Sequence, residues 1–356
     1  MANFSNLKIA AFTFVAITLT CLLTLAGLEL MLRLNNVSHI TPGYLKTNPV
    51  RRYELRPNFK GKTYEMPFLV NSNSLRDYDR EISQGNDTYR VAVYGDSLTM
   101  GIGVKMEETF PKILENKLNQ RSEIPIQVFN FGVNGYNTVM QKNYLFESYE
   151  KYKPHMAIIV LAVGNSAALT TSGSIKNANQ YYLIRMIKDQ LRYLHSYHWL
   201  SAKYHNLILE LKNRTVISGN KEKKVLGKEP LGDPLLLYRD NLQGWVDAQQ
   251  AYKDISAFCH KNNITLVFAI YGSTKLFSKI PKKDFYYPAT KKIMNSLSIA
   301  KIEHQIFLDD VFRNYYNNKS ILWIKPKDYH LSKFAHELVG NKLFNYFIEE
   351  NFIEFS

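Results

Sequence analysis

Cysteine is almost missing. Cys21 and Cys259 are the only two in 356 residues, and Cys21 sits in an apolar run near the amino terminus, so no disulfide between them is expected. A chain of this length buries a core that needs no covalent staples, so the shortage does not decide the compartment. No His/Cys cluster has metal-ligand spacing, and neither metal nor cofactor is expected. There is no internal repeat, phosphate-cradling glycine loop or low-complexity tract, and no module that reads RNA or DNA. Acidic residues are outnumbered, 31 against 45 Lys and Arg, for a net charge of +14. Such a balance favours anionic partners. The lysines are nevertheless spread along the chain like a solvated surface, and no nucleic-acid partner is expected. With 46% hydrophobic and 21% charged residues, the composition is that of a folded chain.

One long apolar run is present. From Ile9 to Leu28 there is no charge; about 20 residues make a helix of roughly 30 Å, the thickness of a bilayer core. Lys8 precedes the run, and Glu29 and Arg33 follow it. A cleaved signal peptide is disfavoured, because Thr24-Leu25-Ala26 fits a small-x-small site poorly and the run is long. Leu19-Thr20 before Cys21 does not suit a lipoprotein. A buried core helix would not be apolar all round. The reading is an uncleaved single-pass anchor over 1–35. Arg33, Lys46, Arg51, Arg52 and Arg56 lie after it, which argues against export by the positive-inside rule. Long carboxy-terminal domains, however, cross largely regardless of charge. The residues alone leave topology open.

Beyond a lead-in over 36–87 the pattern becomes strand, turn, helix. Arg90-Val91-Ala92-Val93-Tyr94 is short, apolar and β-branched, as a buried parallel strand should be. It runs into Gly95-Asp96-Ser97-Leu98, a serine just past a strand end. A second strand, Ile126 to Asn130, leads to Phe131-Gly132-Val133-Asn134-Gly135, and a third, Met156 to Ala162, to Val163-Gly164-Asn165-Ser166. In an open α/β sheet such strand ends converge on one edge and can surround one pocket. Acyl transfer needs N–H groups and an amide aimed at a developing oxyanion, each donor worth roughly 3–4 kcal/mol. Near the carboxyl end, Asp328-Tyr329-His330 is expected on a loop before an amphipathic helix from about Phe334 to Glu350. His330 can serve as base for the serine, and a carboxylate two residues earlier can fix its tautomer.

These four blocks resemble the SGNH/GDSL hydrolase superfamily, membrane-anchored bacterial type. The match covers 88–166 and 300–350 and is weak between. The resemblance implies an α/β fold: a doubly wound, mainly parallel sheet in the flavodoxin-like three-layer SGNH arrangement over 88–356. A helical insertion over about 167–233 and the amino-terminal transmembrane helix are added to it. It implies a triad of Ser97, His330 and Asp328, and an oxyanion hole from the N–H groups of Ser97 and Gly135 with the Asn165 amide. Asp96 would shape the nucleophile turn. The chain departs from the family pattern at Ser166, where Asp is usual, at Val163, where Gly is typical, and at Ala335-His336, where a Gly-His pair is common. The lead-in Asn71-Ser72-Asn73-Ser74-Leu75-Arg76-Asp77 is similar to one in membrane-anchored bacterial members, with Ser74 in place of a glycine. Those relatives face the periplasm or cell exterior, which implies the same for this catalytic domain.

The expected activity is that of a serine esterase or deacylase acting on O-acyl groups, O-acetyl above all, of envelope carbohydrate or lipid. Its partners would be that acylated substrate and the membrane. A transferase would use the same residues with a sugar hydroxyl as acceptor and a membrane acyl-donor protein as partner. A silent glycan-binding relative is the third reading. Within the insertion, 180–211 has a helical pattern, and a basic loop holds Lys223 and Lys224, read as a lid with a solvated loop or a cap for acidic substrates. Asp309 and Asp310, after a strand Gln305 to Leu308, are read as caps of the turn that follows, with a role as alternative triad acids as the second reading.

Overall fold

The computed structural model describes residues 2–35, 40–82, 87–164, 167, 187, 189–197, 199–201, 203–204, 235–272, 278–325 and 328–353. Its centre is a five-stranded sheet built from β5 (Tyr89–Gly95), β6 (Ile126–Gly132), β7 (Met156–Ala162), β8 (Thr265–Tyr271) and β9 (His304–Phe307). The strands are parallel and lie in the order β6-β5-β7-β8-β9. That is the flavodoxin-like order, with the reversal between β5 and β7.

The near-continuous apolar strands follow from burial on both faces. Alternate residues point to opposite layers: Val91, Val93, Met156, Ile158 and Val160 enter one core, Ala92, Tyr94, Ala157, Ile159 and Leu161 the other. Beyond β5 comes the single-turn α2 (Ser97–Met100). The first core is closed by α3 (Phe110–Asn119) and by the last helix, Lys333–Glu349, which pack on each other. The second is covered by α4 (Thr138–Tyr152), α5 (Gln243–Lys261) and α6 (Tyr287–Ile299); the Lys333–Glu349 helix is accordingly α7. Expected strand and helix ends match to within two residues.

The lead-in forms two antiparallel hairpins, β1 (Leu45–Asn48) with β2 (Arg52–Leu55), and β3 (Lys60–Thr63) with β4 (Met66–Leu69). Arg51 anchors the first. It is buried over the Tyr144 ring at 3.7 Å and paired with Glu54 at 2.7 Å and Glu147 at 2.5 Å. The amino-terminal helix α1 (Ala2–Leu34) is long and apolar enough over Lys8–Leu34 to cross a membrane, and its residues from Lys8 to Gly27 are exposed. Cys21 is exposed and Cys259 buried, both as free thiols.

Candidate active site

β5 ends at Gly95 and the chain turns at once into α2 with Ser97 first. Asp96 caps that turn: its Oδ1 accepts the Leu98 N–H at 3.0 Å, the shaping role expected of it. A Cβ on Gly95 would fall 1.9 Å from Thr99 Oγ1, so only glycine lets the helix fold back this closely.

Ser97 Oγ lies 3.0 Å from His330 Nε2. On the other side of the ring, His330 Nδ1 is 2.6 Å from Asp328 Oδ1, which also accepts the His330 amide N–H at 3.1 Å. With the Nδ1 proton held on the carboxylate, Nε2 is the acceptor facing the serine hydroxyl. The fold therefore brings Ser97 against the Asp328–His330 pair, 233 positions away. The expected loop is corrected here. Asp328 and His330 lie on a short strand, β11 (Asp328–Leu331), paired with β10 (Trp323–Lys325). Tyr329 stacks edge-on with Trp323 at 4.8 Å, and this cross-strand pairing converts the segment into a hairpin. Asp309 and Asp310 take other roles. Asp309 accepts the Gly272 N–H, at 3.0 and 2.9 Å to its two oxygens, and Asp310 pairs with Arg313 at 3.0 Å.

Of the oxyanion candidates, Ser97 and Gly135 are among the described residues. Gly135 sits in the turn after β6 with φ +75°, a conformation that favours glycine. The turn is hung beside the nucleophile by the Val133 N–H donating to the Gly95 carbonyl at 3.1 Å. Among the described residues neither the Ser97 nor the Gly135 N–H has an acceptor. Asn165 and Ser166 lie outside the described residues, as do Lys223, Lys224 and most of 167–233.

Behind the serine, Asn130 is fully buried. It donates from Nδ2 to the Thr99 carbonyl at 2.9 Å and accepts the Gly132 N–H at 2.9 Å. Gly132 itself touches α2: a Cβ there would lie 2.2 Å from the Met100 nitrogen. In the Ala335-His336 pair, Ala335 is the departure and His336 is buried. Its Nδ1 accepts the Phe110 N–H at 3.2 Å and the ring stacks on Phe110 at 5.7 Å. Burial first, then the charges of Arg76 and His330, lower its pKa to about 3, so it stays neutral.

Three contacts were not anticipated. Tyr64, in the turn between β3 and β4, donates its hydroxyl to Asp328 Oδ2. A lone tyrosine in a lead-in carries no sequence signal of such a role. Arg76, fully buried, donates to the carbonyls of Met100 (2.8 Å), Gly101 and Val104 (2.5 Å), and so ties the chain after α2. Asp77 accepts the Asn130 N–H at 3.1 Å and pairs with Lys112 at 2.7 Å. The Arg-Asp element of the lead-in motif thus buttresses two of the strand-end turns. Ser74 adopts φ +63° where relatives of that pattern carry glycine, and the Asn71 side chain braces the turn by accepting the Asn73 and Leu75 N–H groups at 2.9 Å each.

No family model matches the chain, and no curated protein matches it. Solved structures do. The psychrotrophic esterase EstA from Pseudoalteromonas sp. is 14% identical with a TM-score of 0.42, over 75% of this chain and 100% of that one. Others are described as a lipolytic protein and as an acetylxylan esterase. A protein of the G-D-S-L family from Desulfitobacterium hafniense is 13% identical with a TM-score of 0.38, over 72% of this chain and 98% of that one. An acetylxylan esterase from Geobacillus stearothermophilus is 12% identical with a TM-score of 0.40, over 75% of this chain and 95% of that one. Likeness of this degree concerns fold, and the chemistry rests on the side chains.

Proposed function

We propose that the chain is a membrane-anchored serine esterase of the SGNH/GDSL type that removes O-acyl groups, acetyl foremost, from envelope carbohydrate or lipid outside the cytoplasm. The observation that supports it is the continuous relay Ser97–His330–Asp328, at 3.0 and 2.6 Å. Ser97 Oγ attacks the ester carbonyl while His330 Nε2 takes its proton. Asp328 holds the ring and balances the imidazolium charge. The tetrahedral oxyanion is received by the N–H groups of Ser97 and Gly135, with the Asn165 amide as the third donor the family pattern implies. Collapse breaks the C–O bond of the leaving alcohol, which takes the proton from His330. Water, deprotonated by the same nitrogen, then attacks the acyl-enzyme and frees Ser97.

The intact relay favours catalysis over the silent binding reading. The anchor reading of α1 is supported by an uncharged run flanked by Lys8 and Glu29. A reporter fused after Ser356 and active outside the cytoplasm would support the outward topology; activity inside would reverse it.

The test is release of p-nitrophenol from acetate and butyrate esters by the full chain in detergent, beside Ser97→Ala and His330→Ala. Each variant is expected to lose at least about 10³-fold in kcat, since serine and histidine act as a unit. Undiminished turnover by Ser97→Ala would sink the assignment. Labelling of Ser97 by a fluorophosphonate without hydrolysis of either ester would favour the transferase, in which a sugar hydroxyl replaces water.

A further inference from the structure

The membrane end of α1 is fastened to the body of the protein. Leu32 is buried. The Glu29 carboxylate accepts the N–H groups of His195 at 3.1 Å and Ser196 at 2.8 Å, the Ser196 hydroxyl at 2.7 Å and Arg33 Nε at 2.7 Å. Glu29 is the first charged residue after the run from Ile9 to Leu28. It therefore marks the level at which a spanning helix leaves hydrocarbon, and the residues that grip it lie at that level too.

Ser196 belongs to a stretch whose described residues over 195–204 are helical. Trp199, Leu200, Lys203 and Tyr204 follow at offsets of one, four and five, which places them on one face. Just before, the helical Ile187 and Leu191 stand four apart. All five of these apolar residues are exposed, Tyr204 by 66% and Ile187 by 53%, and the Lys203 ammonium lies 5.7 Å from the Trp199 ring centroid. The segment between is pinned to the lead-in. Asp189 Oδ1 accepts the Thr47 N–H at 3.0 Å and its hydroxyl at 2.8 Å, and the Arg56 guanidinium covers the Tyr193 ring at 4.5 Å. The exposed face is thus held at a fixed attitude to the end of the span.

Leaving such side chains in water forgoes the free energy of apolar burial. Trp and Tyr beside a lysine whose stem can snorkel are the composition suited to the headgroup boundary. We infer that the face formed by Ile187, Leu191, Trp199, Leu200 and Tyr204 rests on the bilayer from which α1 emerges, as a second lipid contact that seats the catalytic domain on the membrane. The inference depends on α1 being a retained anchor and adds to that reading a surface that the anchor alone does not require.

The test uses the full chain in vesicles of phosphatidylcholine and phosphatidylglycerol, with and without bromine on the upper part of the acyl chains. Three tryptophans are present, and Trp245 is fully buried, so the difference between the native chain and Trp199→Phe isolates Trp199 emission. An environment-sensitive maleimide on Cys21, the exposed thiol, reads the span separately. Trp199 emission is expected to fall by roughly half in brominated lipid, as for a ring about 5–10 Å into the interface. Leu200→Glu with Tyr204→Glu should remove the quenching and leave the Cys21 probe in lipid. Unquenched Trp199 with Cys21 in lipid would overturn the surface contact and leave the anchor standing. A Cys21 probe in water would overturn both.

Discussion

Adding one methyl group at Gly132 should disable the nucleophile without touching it. The Cβ of Gly132→Ala would lie 2.2 Å from the Met100 nitrogen, 2.6 Å from the Thr99 carbonyl carbon and 2.7 Å from Met100 Cα, where ordinary contact begins at 3.4 Å. The obstacle is backbone, so no rotamer change relieves it. Either β6 or α2 must give way by more than 1 Å. β6 is held to β5 by a full parallel ladder from Tyr89 to Gly95, whereas α2 is a single turn with Ser97 at its start. The displacement should therefore fall on α2 and on the 3.0 Å contact between Ser97 Oγ and His330 Nε2. A misplacement of about 1 Å costs on the order of 10²-fold in rate, and the strain itself about 1–3 kcal/mol of stability. Ester hydrolysis and fluorophosphonate labelling of Ser97 should fall together by about 10²-fold, or about 2.7 kcal/mol of barrier. Circular dichroism and a melting curve would establish that the variant is folded. A folded Gly132→Ala within threefold of native activity would refute the claim that the Asn130–Gly132 segment positions Ser97.

Tyr64→Phe removes the hydroxyl bonded to Asp328 Oδ2 and should lower kcat about 5- to 10-fold with little change in KM, corresponding to about 1–1.4 kcal/mol; unchanged kcat would make the contact merely structural. His336 stays unprotonated in the fold down to about pH 3, whereas its ordinary value is 6.5. Between these pH values the unfolded chain binds the extra proton, so the folded state loses stability as pH falls below about 6.5, by about 1.4 kcal/mol per pH unit. His336→Gln should cost about 1–3 kcal/mol at neutral pH through loss of the Phe110 N–H bond to Nδ1, and the gap to the native chain should narrow by about 2 kcal/mol between pH 7 and pH 5 in urea titrations. A constant gap would assign the acid sensitivity elsewhere.

The sheet was legible because its strands are buried on both faces. Met156 to Ala162 can be nothing but apolar when Met156, Ile158 and Val160 feed one layer while Ala157, Ile159 and Leu161 feed the other. Ser97, Asp328 and His330 were legible for a different reason. Acyl transfer constrains residue type but not chain order, and it was the resemblance of the four blocks, in their order and spacing, that singled these residues out. The hairpin carrying His330 was not legible. Its three- and four-residue strands are too short for periodicity to separate them from a loop, and the pairing of Trp323 with Leu331 is a tertiary outcome.

The lead-in was the least legible part, although it bears directly on the site. Arg51 read in the sequence as an ordinary basic residue counted toward membrane topology, and Arg76 as part of a lead-in motif with no stated role. In the fold both are buried, and they solve that problem differently. Arg51 meets two carboxylates and a tyrosine ring. Arg76 has backbone carbonyls instead, and burial lowers its pKa to about 9, still leaving it a cation at neutral pH. A buried cation held by carbonyls is tolerated only where those carbonyls are fixed in position. The carbonyls are those of Met100, Gly101 and Val104, the stretch that follows the nucleophile. The Arg-Asp element and Tyr64 thus act on opposite ends of the relay, one bracing the turn that presents Ser97 and the other the acid that orients His330. The β3–β4 turn and the Arg-Asp element are accordingly packed into the surroundings of the candidate site, which the strand-end turns alone do not complete.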